Sequence, residues 1–356
     1  MVSTRALLSF ASSTLVALAA CHQGAPVTIT AAPVAAVGPM TAPGSRIERL
    51  DPAIDALIPR DAYVEKLADG FAWTEGPIWR REKGGYLLFS DAPNNTMWRY
   101  RDGEPVTIYL RPAGYAGPGD PPGRELGSNG LTTDAQGRLV IADHGNRMIA
   151  RLREDSLWTK LPLATGYQGK RFNSPNDVIH RANGDLYFTD PPYGLRKLND
   201  DPAKELPFNG VYRLTPTGEV TLLTKDLSYP NGIAISPDGN TLYVGMSDSA
   251  RPQIMAFDIQ ADGTIANGRV FFDAMSLVQR KLPGGLDGMK VDAHGNLFAT
   301  GPGGVLVLSP QGKLLGTIVT GDITANCTFG GDGSTLYMTA NHALMRIRTS
   351  TKGLGF

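Results

Sequence analysis

One pattern recurs six times along this chain and limits its fold more than any other feature. An apolar stretch runs into a Gly-containing turn, and an alternating strand follows that ends in a small or acidic residue. The copies begin with Pro77 to Asp91, Leu131 to Asp143 and Val178 to Asp190, and continue with Ile233 to Gly245, Met289 to Thr300 and Cys327 to Thr339. In most copies a D/N-G or related dipeptide separates two short β-prone runs, which is a hairpin signal because Gly tolerates the positive φ of a tight turn. The turn glycines are Gly85, Gly137, Gly184, Gly239, Gly295 and Gly333. Their spacing of roughly 40 to 55 residues is the length of a propeller blade. The segments lack the 3.6 period a helical solenoid needs. The expected fold is all-β, a six-bladed β-propeller in which each hairpin forms the two inner strands of a four-stranded blade. Tyr63 to Leu67 is expected to complete the blade that ends with Leu344 to Arg348 and so close the ring.

Composition agrees with many turns and few helices: 42 Gly and 26 Pro stand in 356 residues, and both residue types break helix interiors. Charge narrows the partners. Thirty-four Lys and Arg balance 34 Asp and Glu, so no basic field is available for nucleic acid or a membrane surface. A small molecule is the expected partner.

The start of the chain reads differently from the repeats. Arg5 precedes an apolar run from Ala6 to Ala20, too short to span a bilayer comfortably, which reads as a signal peptide over residues 1–20. Leu18-Ala19-Ala20-Cys21 is similar to the lipobox of bacterial lipoproteins, with Cys21 as the lipid-bearing mature N-terminus. The alternative is an ordinary Ala-x-Ala cleavage site. Either reading exports the protein, to the periplasm or to a membrane through a lipid anchor. Residues 22–45 are Ala-, Pro-, Val- and Gly-rich without a period and read as a flexible linker, leaving 46–356 as the propeller. The other cysteine is Cys327, so a lipidated Cys21 leaves no intramolecular disulfide; Cys327 is expected to be a small buried residue.

Loops entering the innermost strands of a propeller converge on one mouth of the central channel. The residues there are Glu75, Asn129, Asn176 with Asp177, Asn231, Asp287 and Asn326. Every blade supplies at least one, and all are Glu, Asp or Asn. Such an oxygen-rich donor set suits a hard divalent cation, Ca²⁺ first among them. Any single Asn-Gly or Asp-Gly reads first as a turn, but the shared offset across six blades does not, and Glu is not a favoured turn residue.

From about Ala62 to Arg348 the chain resembles the regucalcin and gluconolactonase family of calcium-dependent lactonases. Glu75-Gly-Pro-Ile-Trp79, Ser174-Pro-Asn-Asp177, Pro230-Asn-Gly232 and Leu286-Asp-Gly-Met289 look like its metal-site motifs. Ser128-Asn-Gly-Leu-Thr132, Asp143-His-Gly-Asn-Arg147 and Phe188 to Gly194 are similar to its bacterial gluconolactonase branch. The resemblance implies that Glu75, Asn176, Asn231 and Asp287 hold the cation, that Asp287 acts on the attacking water, and that the reaction opens a sugar lactone such as gluconolactone. A metal that polarises the carbonyl needs no nucleophilic Ser or Cys, and the chain has no G-x-S-x-G elbow. Related paraoxonases use two histidines; here His144 stands alone, with Asn129 where the second would be. Asn129, His144 and Arg171 are expected as substrate contacts, His144 being alternatively a base or a structural hydrogen-bond partner. Arg111 to Gly127, too long for a hairpin turn, is a cover over the channel mouth or a surface loop. A calcium-stabilised sugar-binding propeller without catalysis, or a hydrolase of another ester or phosphoester, is the alternative function.

Overall fold

The computed structural model describes residues 40–118, 123–155 and 158–356. The expected signal peptide, Cys21 and most of the expected linker lie outside these residues. Six antiparallel sheets of four or five strands follow one another as blades. Their innermost strands are Thr74–Arg80, Ser128–Thr133, Val178–His180, Pro230–Ile235, Met289–Val291 and Thr324–Gly330, and each pairs with the second strand of its own repeat hairpin. The six turn glycines all have φ between 74° and 95°, the left-handed region that a residue with a Cβ avoids. Among the described residues no helix is long and apolar enough to cross a membrane.

The second strands are not half-exposed, as alternation would suggest. Tyr86–Asp91, Leu139–Asp143, Leu186–Asp190 and Leu297–Gly301 are buried at every position. Their period of two separates two neighbours, not core from water. Leu87 and Phe89 pack with Tyr337 and Leu344 of the sixth blade, while Leu88 packs with Leu139 and Ile141 of the second. The other apolar clusters likewise fill seams between adjacent blades, as where Val140 and Ala142 meet Val178 and Phe188. Stability is therefore distributed around the ring, each buried Leu or Phe contributing about 1.5–3 kcal/mol before entropy is set against it. Cys327 is buried in one such seam without a disulfide, and burial pushes its thiol up to about 12.

The N-terminal residues close the ring. Glu65–Asp69 pairs antiparallel with Ala343–Arg348, two residues on from the expected segment, and an ion pair joins Glu65 to Arg346. Two further strands join the ring, one of them outside the expected boundaries. Met40–Thr41, assigned by composition to the linker, pairs with Glu65 and Lys66, and Ala42 is buried beside it. The propeller thus reaches back at least to Met40, because a backbone edge needs no side-chain pattern to recruit a strand. Arg46–Arg49 then adds a fifth strand to the blade containing Leu314–Val319.

Candidate functional site

Glu75, Asn129, Asn176, Asn231 and Asp287, at or just before the starts of their innermost strands, line one cavity. Asp177 and Asn326 are not in its wall, their side-chain oxygens accepting the N–H groups of Val178 and Ile233 and of Cys327. The local backbone shows how the five are brought together. Pairing between the first two strands of a blade shifts register between Glu75 and Ile78, between Ser128 and Leu131, and between Pro230 and Ile233. Such bulges re-aim a side chain at the end of a strand. The glycine after each bulged residue then packs on the next blade. A Cβ on Gly76 would lie 1.9 Å from the Asn129 carbonyl oxygen, one on Gly130 2.6 Å from that of Asn176, and one on Gly232 2.0 Å from that of Asp287. These Glu-Gly and Asn-Gly pairs are not hairpin turns. Their glycines let successive innermost strands approach until the preceding side chains share one space.

A second device braces the loops before the strands. The acidic residue ending a repeat turns back to receive backbone N–H groups: Asp190 accepts from Asn173 at 2.8 Å and from Ser174 at 2.7 Å, and Asp91 accepts from Ala72 and Trp73, each at 3.3 Å. These pairs fix the entries to Asn176 and Glu75. Burial pushes the Asp190 carboxyl up to about 7 against those hydrogen bonds.

The shared space is a cavity of about 600 Å³ whose wall includes Glu75, Asn129, Asn176, Asn231 and Asp287. Trp73, Glu125, Tyr193 and Ser247 also line it. Glu75 and the three asparagines are 3–4% exposed, whereas Asp287 is half-buried. Glu75 receives Trp73 Nε1 at 3.3 Å and the Gly76 N–H at 3.1 Å. Asn231 donates from Nδ2 to Ser247 at 2.7 Å. A larger cavity of about 790 Å³ opens at the other end of the innermost strands, against Ile179, Ile235 and Val291; none of the expected site residues lines it.

Electrostatics set the first cavity apart. Burial, then the charges of Glu125 and Asp177, raise the Glu75 carboxyl to about 8. Burial, then Glu75, Asp177 and Glu125, hold Asp287 well above the usual carboxylate range. The buried Oδ1 atoms of Asn129 and Asn231 have no hydrogen-bond partner, which costs free energy unless something fills the role. Crowded carboxylates with unpartnered amide oxygens form an all-oxygen set that a hard cation satisfies. Among the described residues no group of three or more His, Cys, Asp or Glu is placed to hold a metal. The set here is of a different kind, two carboxylates completed by amides.

Two expected substrate contacts stand elsewhere. Arg171 lies exposed on a two-stranded ribbon, where its guanidinium donates to the Asn146 carbonyl at 3.2 Å, and it is not part of the cavity wall; the loop between Arg171 and Asn176 carries it away. His144 is buried behind the wall, its Nδ1 3.0 Å from Glu125 Oε2. Sequence reasoning passed over Glu125 because it lies in the Gly- and Pro-rich stretch with no repeat to mark it. Tyr193 stacks on Tyr229 at 5.9 Å and also faces the cavity.

A six-bladed propeller with an acid-and-amide cavity at one mouth of its channel defines a class of ring-shaped enzymes, and relatives place the chain within it. The family model described as SMP-30/Gluconolactonase/LRE-like region matches residues 73–342. The gluconolactonase of Zymomonas mobilis is 40% identical over 313 residues, 86% of this chain and 87% of that one. A solved gluconolactonase of Xanthomonas campestris aligns with a TM-score of 0.75 at 32% identity, covering 88% of this chain and 98% of its own. A solved putative gluconolactonase gives the same TM-score and identity over 87% of this chain and 100% of its own. The chain belongs to the SMP-30/gluconolactonase/LRE-like family, and it is a lactonase.

Proposed function

We propose that this protein hydrolyses a sugar lactone, gluconolactone being the model substrate, to the aldonic acid, with a divalent cation held by Glu75, Asn176, Asn231 and Asp287. The observation that carries the cation is the unpartnered buried Oδ1 of Asn231 beside two carboxyls that crowd each other. Calcium fits the donor chemistry, all oxygen with no sulfur or imidazole. When bound, the cation supplies charge to stabilise the oxyanion that develops on the lactone carbonyl.

The chain's own residues supply position. Asp287, half-buried in the cavity wall, accepts a hydrogen bond from the attacking water and orients it towards the carbonyl carbon. The water oxygen bonds to that carbon, the ring C–O bond breaks, and one proton goes to the ring oxygen. The acid formed releases its proton to solvent. Asn129 Oδ1 faces the substrate, and Trp73 and Tyr193 provide apolar walls for the sugar. The Met1–Ala20 leader and Cys21 support export and a lipid anchor; mass spectrometry of the mature N-terminus tests that placement.

The functional test is proton release from δ-gluconolactone by the purified protein, before and after chelation and with single cations restored. Activity that is lost to chelator and returns with calcium is the expected result. Activity untouched by chelation removes the cation from the reading, and calcium binding without hydrolysis of any lactone turns it towards a binding propeller.

A further inference from the structure

The cavity wall carries four charged side chains: Glu75, Asp287, Glu125 and Arg124. A divalent cation would balance Glu75 and Asp287. The remaining two pair with each other, Arg124 Nη2 standing 2.9 Å from Glu125 Oε1. They do not present themselves equally, since the Arg124 side chain is 55% exposed and that of Glu125 only 12%. Water and salt screen the outer guanidinium more than the inner carboxylate. Within the cavity the carboxylate is the less screened of the two charges.

Glu125 is also fixed in place. Its second oxygen accepts from His144 Nδ1 at 3.0 Å, and the His144 side chain is fully buried. The backbone on either side is pinned, Arg124 N–H donating to the Gly194 carbonyl at 2.8 Å and Gly127 N–H to that of Ala92 at 2.9 Å. The Leu126 carbonyl receives Tyr115 N–H at 2.7 Å and lies against Gly145, where a Cβ would be 2.1 Å away. A carboxylate held this firmly loses little freedom when it accepts a ligand hydrogen bond.

We infer that Glu125, positioned by His144, sorts lactones by charge: it accepts a hydroxyl of an uncharged sugar lactone and repels a lactone bearing an anionic substituent. This rests on the lactonase reading above and adds a specificity group to it. His144 acts through Glu125 as a positioning residue, since its Nδ1 is engaged and its Nε2 is buried without a partner.

The test compares glucono-1,4-lactone with glucaro-1,4-lactone, which differ only in a hydroxymethyl against a carboxylate. Wild-type protein should prefer the former. Glu125→Gln should raise the anionic-to-neutral ratio of kcat/KM by about tenfold, mostly through KM, because one nearby charge is removed. Glu125→Ser, also neutral but smaller, should move the ratio the same way and decides the matter if the first variant does not fold. A role in stability alone would lower both activities together. An unchanged ratio in an active protein overturns the role of Glu125 and leaves the lactonase reading intact. Wild-type protein inactive on every lactone overturns both.

Discussion

Gly76 packs its Cα face against the Asn129 carbonyl, so that a Cβ there would stand 1.9 Å from the oxygen, and this contact sets how closely Glu75 approaches Asn129. Gly76 also has φ of 49°. Gly76→Ala should therefore combine a backbone clash with left-handed strain. Gly232→Ala, whose Cβ would meet the Asp287 carbonyl at 2.0 Å, carries the clash without a positive φ. Both should lose about 1–3 kcal/mol or more of stability and bind calcium more weakly. Thermal unfolding and calorimetric titration check this, and wild-type affinity in either variant would count against the packing account.

Glu75→Gln and Asp287→Asn each remove one negative charge without changing shape. Calcium affinity should fall in both, and lactone hydrolysis by about a hundredfold or more. His144→Ala should leave the cation bound, because His144 stands behind the wall. Titration of the three variants with calcium beside lactone assays separates these roles, and full activity in a metal-free Asp287→Asn protein would sink the mechanism.

Acidity of Glu75 links stability to pH. Its carboxyl rises from the ordinary 4.5 to about 8 in the folded, cation-free protein. Between those values the folded state keeps a proton that the unfolded state has lost, so raising the pH through this window destabilises the fold. The melting temperature of chelated protein should fall between pH 5 and pH 8. Saturating calcium, which binds the ionised carboxylate, should flatten that fall, and so should Glu75→Gln. Identical pH profiles with and without calcium would contradict the linkage.

Asp190 serves the site from a distance. Its carboxyl receives the N–H groups of Asn173 and Ser174, and Asp190→Ala leaves two buried donors without a partner, each costing about 1–3 kcal/mol. Activity should drop with stability, because Asn176 follows directly in that loop. A melting curve and a kcat measurement suffice; unaltered stability would show that the brace is dispensable.

How much of this was readable beforehand follows the physics of each residue. The repeat, the turn glycines and the one polar residue per blade were legible because hairpins and channel-facing loops impose the same demand six times. Glu75 stood out because Glu is not a favoured turn residue, and Asp287 because it recurs at the offset the other blades share. The strand Met40–Thr41 was not legible, since backbone pairing at an edge leaves no apolar signature in two residues. Arg171 was misplaced because spacing along a loop does not fix its direction. Glu125 was invisible for the opposite reason: its position comes from His144 and from backbone contacts that lie far off in sequence, such as that to Gly194.

Closure of the ring has a consequence in time. Glu65 and Arg346 are 281 residues apart, yet they share one sheet, and Arg46–Arg49 waits for Leu314–Val319. The entropy of closing so long a loop grows only with the logarithm of its length, so distance weakens the finished ring little. Order of synthesis is another matter. Arg46–Arg49 and Glu65–Asp69 find their partners among strands made much later, and until then both keep an unpaired edge open. A nascent chain that stops before Ala343 therefore lacks the strand that joins its start to its sixth blade, and its ring stays open there.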